Sequence, residues 1–191
     1  MSRAEKILSF WFGEPGTVEY GKPRQIWFQK KPEFDDTLRC EFLSDYEQAI
    51  NGDLNHWLNL PESCLALILL FDQFPRNMFR GEPQAFATDW EALCAAQHAI
   101  AQEYDRTMLP VQRWFIYIPF EHSENLEHQK QAVKLFKEIS DDPESASVIN
   151  YAIRHLEVIE RFGRFPHRNA ILGRASTPEE KLFLKEPGSS F

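Results

Sequence analysis

Apolar residues recur at helical spacing from one end of this chain to the other, and that limits the fold more than any motif does. Phe34, Leu38, Phe42, Tyr46 and Ile50 fall at successive fours, ended by Asn51-Gly52. Ser2 and Glu5 form a capping box ahead of Ile7, Leu8, Trp11 and Phe12, with Gly13 as the stop. Thr88 with Glu91 predicts a second box, opening a helix with Trp90, Leu93, Cys94, Ala101 and Tyr104 on one face. Thr177-Pro178-Glu179-Glu180 predicts a third, opening a short final helix.

Pro61 opens a helix carrying Leu65 to Phe71, and Pro110 opens one that Pro119 is expected to break. The run 113–120 also reads as a short buried strand, but no partner strand is evident. Helices are expected over about 124–139 and 143–161, the latter with Val148, Ala152, Leu156 and Ile159 inward. His155 lies on that stripe and reads as a satisfied core histidine. The expectation is an all-α, layered, single-domain fold of about eight helices spanning 1–191.

With 191 residues, 43% of them hydrophobic, the chain can bury one sizeable core. A net charge of −8 argues against duplex nucleic acid or an anionic membrane as partner. The longest apolar run, 64–71, is too short to span a bilayer, and the N-terminal stretch lacks a cleavage-site pattern. A cytoplasmic location is expected. Cys40, Cys64 and Cys94 lie far apart on helical segments and read as reduced core thiols.

One phrase is written twice, FDQFPRNMFRG at 71–81 and FGRFPHRNAILGR at 162–174. Proline after phenylalanine should extend that residue and end the helix while the ring plugs the core, leaving the following Arg and Asn on a rigidly based loop. The second copy, from Arg161 to Arg174, holds four arginines and His167 without one acid, a local reversal in an acidic chain.

Two readings follow. Arg76, Arg80, Arg164, Arg168 and Arg174 converge on an anion, with Asn77 and Asn169 as neutral donors and His167 as a proton carrier. Otherwise the arginines brace helices by pairing with Asp72, Glu121, Glu124 and helix-end carbonyls. In PFEHSEN, 119–125, His122 stands between Glu121 and Glu124, so His122 is a second candidate proton carrier with Glu121 orienting it. The alternative there is a helix entry at Ser123. No metal-ligand spacing is completed, and no phosphate loop, dinucleotide fingerprint or nucleophile elbow occurs, so the sequence leaves any cofactor unknown.

The stretches FWFG (10–13), LLFDQFPRNMFRG (69–81), AFATD (85–89), FIYIPFEHSEN (115–125) and RFGRFPHRNAILGRASTPEE (161–180) closely resemble the bacterial family called domain of unknown function 924. The match runs in order over nearly the whole chain. The resemblance implies an all-α fold of the tetratricopeptide-like superfamily and no established activity. It takes in the same residues, among them Asp72, Arg76, Asn77, Arg80, Asp89, Glu121, His122, Arg164, His167, Arg168, Asn169 and Arg174. The expected ligand is a small anion in an Arg/His-lined pocket, with acid/base catalysis left open. The alternative is an interaction module whose groove clasps an acidic peptide or a C-terminal carboxylate.

Overall fold

Eight consecutive buried residues, Cys64 to Phe71, make one helix apolar on every side, so it belongs at the centre of the molecule. In the computed structural model, which describes residues 1–190, this is α3 (Pro61–Phe71), packed by α1 (Arg3–Phe12), α2 (Pro32–Ile50), α5 (Asp89–Ala101) and α6 (Pro110–His122). Helix α7 (Leu126–Lys137) lies against α6, and α8 (Ala146–Phe162) packs on α6 and α7. The short α4 (Gln73–Met78) and α9 (Pro178–Phe183) complete an all-α fold, with six short 3-10 turns and no strand among the described residues. Residues of α1 to α8 share one hydrophobic core, and Val158, Ile159 and Phe165 form a smaller cluster with Phe162 and Phe183.

The capping boxes at Ser2 and Thr177 form as their sequences require. Thr88 does not cap α5; its hydroxyl donates instead to the Phe71 carbonyl at 2.6 Å, tying the start of α5 to the end of α3. The buried face of α5 is also rotated from the expected one. Ala92, Leu93, Ala95, Ala96 and Ala99 face inward, while Trp90 is 66% exposed and Cys94 is exposed. Alanine offers little side chain to keep helices apart, so this face lets α5 press against α3. Of the three cysteines only Cys64 is a core thiol, pushed up to about 12 by burial; Cys40 is exposed as well.

Two prolines behave differently from expectation. Helix α6 runs through Pro119 to His122, which keeps Glu121 and His122 on a helix. The first copy of the repeated phrase is no loop, because α4 begins at Gln73 and Pro75 sits in its first turn, where a missing N–H costs no intrahelical bond. Asp72 is the single residue joining α3 to α4, and it is fully buried. The second copy follows expectation: Gly163 ends α8 in the left-handed region at φ 67, Phe165 is extended, and Pro166–Arg168 forms a 3-10 turn. Both phenylalanines, Phe74 and Phe165, are fully buried.

Candidate functional site

A cavity of about 530 Å³ opens where α4, the end of α6, α8 and the turn 166–171 meet, with Trp27 and Phe28 also on its wall. Arg76, Asn77, Arg80, Glu121, His122, His155, His167 and Arg168 all line it. The two halves of the repeated phrase therefore meet, one supplying Arg76 and the other Arg168.

Asp72 organises one side. Its carboxylate accepts hydrogen bonds from His122 Nδ1 and from Gln73 Nε2, each at 2.6 Å, and pairs with Arg76 Nη1 at 3.2 Å. Burial alone would raise Asp72, but the Arg76 guanidinium and His122 outweigh it and hold the carboxyl well below the usual range. An ionised Asp72 only accepts, so the proton of neutral His122 sits on Nδ1 and Nε2 is the basic nitrogen. Burial and Arg76 push His122 down against the pull of Asp72, which leaves the imidazole neutral near pH 7.

The pairing predicted for Glu121 and His122 does not form. Neighbours in a helix point about 100° apart, so Glu121 reaches α8 instead and meets His155 Nδ1 at 2.9 Å. His155 Nδ1 also donates to the Tyr151 carbonyl at 2.8 Å. Glu124 is likewise taken elsewhere, by Arg174. His122 and His155 nonetheless stand at one cavity, ring centroids 6.4 Å apart, each backed by its own carboxylate. His155 is a buried, paired histidine as expected, and it is also a cavity wall.

The arginines divide into two groups. Asp89 bridges Arg76 Nη1 at 2.8 Å and Arg168 Nη1 at 3.1 Å. The Arg168 guanidinium lies between the rings of Phe86 and Phe165, at 4.8 and 4.6 Å from their centroids. Its side chain is only 7% exposed, and burial together with Arg76 lowers it to about 10. Arg76 Nη2 and Arg168 Nε are buried donors with no hydrogen-bond acceptor among the described residues. His167 beside them is pushed down to about 3 by burial and by Arg168, so it too is neutral.

Arg80 and Asn77 line the cavity with their polar groups committed. Arg80 makes a two-pronged pair with Asp35 at 2.9 and 3.1 Å and donates to Asn77 Oδ1, while Asn77 Nδ2 donates to the Gln73 carbonyl. Arg164, Asn169 and Arg174 do not join the others at the cavity. Arg164 grips Glu180 at 2.7 and 2.9 Å, and Arg174 grips Glu124 at 2.7 and 2.9 Å while donating to the Phe165 carbonyl and Asn169. Asn169 donates to Ser176 and Glu180. These three fasten the C-terminal segment to the body of the protein.

His155, Phe86, Trp27 and Phe28 belong to the site without having been singled out for it, Asp89 is marked only by the family resemblance, and Asp72 enters as the partner of a histidine, beyond its expected role as a brace. Only Asp72 carried a local signal, since it lies four residues before Arg76 in a helical phrase. Among the described residues, no group of three or more His, Cys, Asp or Glu side chains has the arrangement to hold a metal ion, and no helix is long and apolar enough to cross a membrane.

No curated protein matches the chain. A solved structure described as a protein of unknown function, ATU0120 from Agrobacterium tumefaciens, is similar throughout, with a TM-score of 0.84 and 37% identity over 95% of this chain and 96% of that one. The model of a family described as bacterial proteins of unknown function matches residues 7–188, and with a match over nearly its whole length the chain belongs to that family, DUF924.

Proposed function

We propose that the cavity binds a small anionic ligand, with Arg76 and Arg168 holding the charge and His122, oriented by Asp72, taking or giving a proton. One observation carries the reading: two buried guanidinium donors, Arg76 Nη2 and Arg168 Nε, lack an acceptor among the described residues while their side chains line one cavity. Leaving such a donor unsatisfied costs about 1–3 kcal/mol or more for a charged group, and a carboxylate or phosphate oxygen would recover it. A neutral His122 with a basic Nε2 is the protonation state a general base needs at neutral pH.

An acidic peptide or a C-terminal carboxylate, the alternative ligand, calls for an extended groove. A volume of about 530 Å³ lies within the range of roughly 300–1,000 Å³ typical of small-molecule sites. The test is a thermal-shift screen against phosphorylated and carboxylated metabolites, nucleotides and acidic peptides, on the native chain and on Arg168→Ala. A ligand at 100 times its Kd stabilises by about 2.7 kcal/mol, enough to read as a rise in Tm. We expect an anion that stabilises the native chain and loses that effect in the variant. The same stabilisation in both would sink the reading, and stabilisation by peptides alone would favour the groove.

A further inference from the structure

We infer that the ligand is an amphipathic anion, with a charged head at Arg76 and Arg168 and an apolar body about the size of a six-carbon ring or chain. This rests on the anion reading and specifies its ligand class. The first argument is volume. A bare carboxylate or phosphate takes the room of three or four waters, on the order of 100 Å³ at about 30 Å³ per water. That is a small part of a cavity of about 530 Å³, so most of the space is left for something else.

The second argument is chemistry. Beside its polar wall of arginines, histidines, Gln73, Asn77, Glu121 and two serines, the cavity has an apolar side made by Trp27, Phe28, Phe86, Ile118, Val148 and Ile171. Water fills apolar space poorly, and an apolar group gains by displacing it.

Aromatic exposure at the same cavity points the same way. Phe28 is 60% exposed and Tyr151 48% exposed, although both line the cavity. Single exposed apolar residues are ordinary on a protein surface. Here the two belong to the wall of a site with unsatisfied buried donors, and Phe28 is held by its neighbours, its ring parallel to Phe115 within 7° at 6.5 Å and edge-on to Trp27 at 6.3 Å. A ligand body against Phe28 would cover surface that the fold leaves open.

The experiment compares Kd values by calorimetry for inorganic phosphate, phenyl phosphate and hexyl phosphate, and for acetate, benzoate and benzyl alcohol, on the native chain and on Phe28→Ala. Phenyl or hexyl phosphate should bind at least about tenfold more tightly than inorganic phosphate, since each buried methylene is worth about fourfold. The phenyl and hexyl arms separate aromatic from aliphatic bodies. Phe28→Ala should shrink the ratio of phenyl phosphate to phosphate affinity. If phosphate binds and the apolar body adds nothing, or if Phe28→Ala leaves the ratio intact, this inference is overturned while the anion reading stands. Benzyl alcohol binding as tightly as benzoate, or no probe binding at all, would overturn both.

Discussion

His122 Nδ1 lies 2.6 Å from the carboxylate of Asp72, a fully buried residue fifty positions earlier in the chain. The contact joins the end of α6 to the one-residue junction between α3 and α4, and Arg76 closes it from the next turn at 3.2 Å. Removing the charge of Asp72 leaves Arg76 facing Asp89 alone and gives His122 and Gln73 a neutral amide in place of a carboxylate. Asp72→Asn should therefore destabilise the fold by about 3–5 kcal/mol, as breaking a buried pair from one side does. Urea unfolding would show it as a lower midpoint with an unchanged slope. A midpoint within experimental error of the native one would mean that the junction does not depend on this carboxylate.

The histidines predict a pH dependence whose sign can be worked out. An unfolded histidine protonates near 6.5, whereas His167 in the fold resists protonation down to about 3, and His122 is shifted in the same direction. Between those values the unfolded chain binds more protons, so stability is fully present above pH 6.5 and falls as pH falls. The slope is about 1.4 kcal/mol per pH unit for His167, and His122 adds to it in the same sense. The carboxylates that the fold depresses, among them Asp72, Glu124 and Glu180, the last to about 2, act in the same sense only from about pH 5 downward. The window from about pH 6.5 to about 5.5 thus isolates the histidines. His167→Asn should flatten the decline of Tm there by one histidine's share, and an unchanged decline would show that His167 is protonated readily in the native state.

Arg174 tests the bracing role. Its two-pronged contact with Glu124 is partly shielded, with the side chains 24% and 29% exposed, and the same guanidinium holds the Phe165 carbonyl and Asn169. Arg174→Ala should cost about 1–3 kcal/mol, the usual worth of charged hydrogen bonds in such a setting. Because these contacts fasten the segment after Phe165, trypsin should cut faster at Lys181 and Lys185 in the variant. Equal cleavage rates would mean that Glu180 and Arg164 hold the segment unaided.

What the sequence allowed to be read, and what it hid, follows from the range of each interaction. Helices are legible because a stripe such as Leu38, Phe42 and Tyr46 is a local pattern, and all three are buried. Pro75 is misread because a new helix starts just before it and proline is tolerated in a first turn, and Pro119 because α6 continues through it as a proline inside the helix. The candidate site is legible in residue types and hidden in pairings. Arg164 and Arg168 lie four residues apart in the second copy of the repeated phrase, yet one meets Glu180 and the other Asp89. Nothing within a few residues of either arginine distinguishes them, since their partners are brought up by α5 and α9. Glu121 and His122 show the same limit, adjacent in the chain and turned to different helices.

Asp89 offers the sharpest discrimination between a binding site and a brace. Its carboxylate stands between Arg76 and Arg168, so the two guanidinium charges are matched by Asp72 and Asp89 before any ligand arrives. An entering anion must compete with Asp89 for the same donors. Asp89→Asn keeps the shape and removes one negative charge a few ångströms from the proposed anionic head group, where two like charges repel by about 1–4 kcal/mol depending on solvent access. Phosphate or benzoate should then bind about tenfold more tightly, with a steeper loss of affinity in salt. The empty protein should meanwhile become less stable, because two arginines lose a shared partner. If the arginines serve only to brace helices, the variant shows that loss of stability and no gain in affinity, and titration of one protein preparation at two salt concentrations separates the two outcomes.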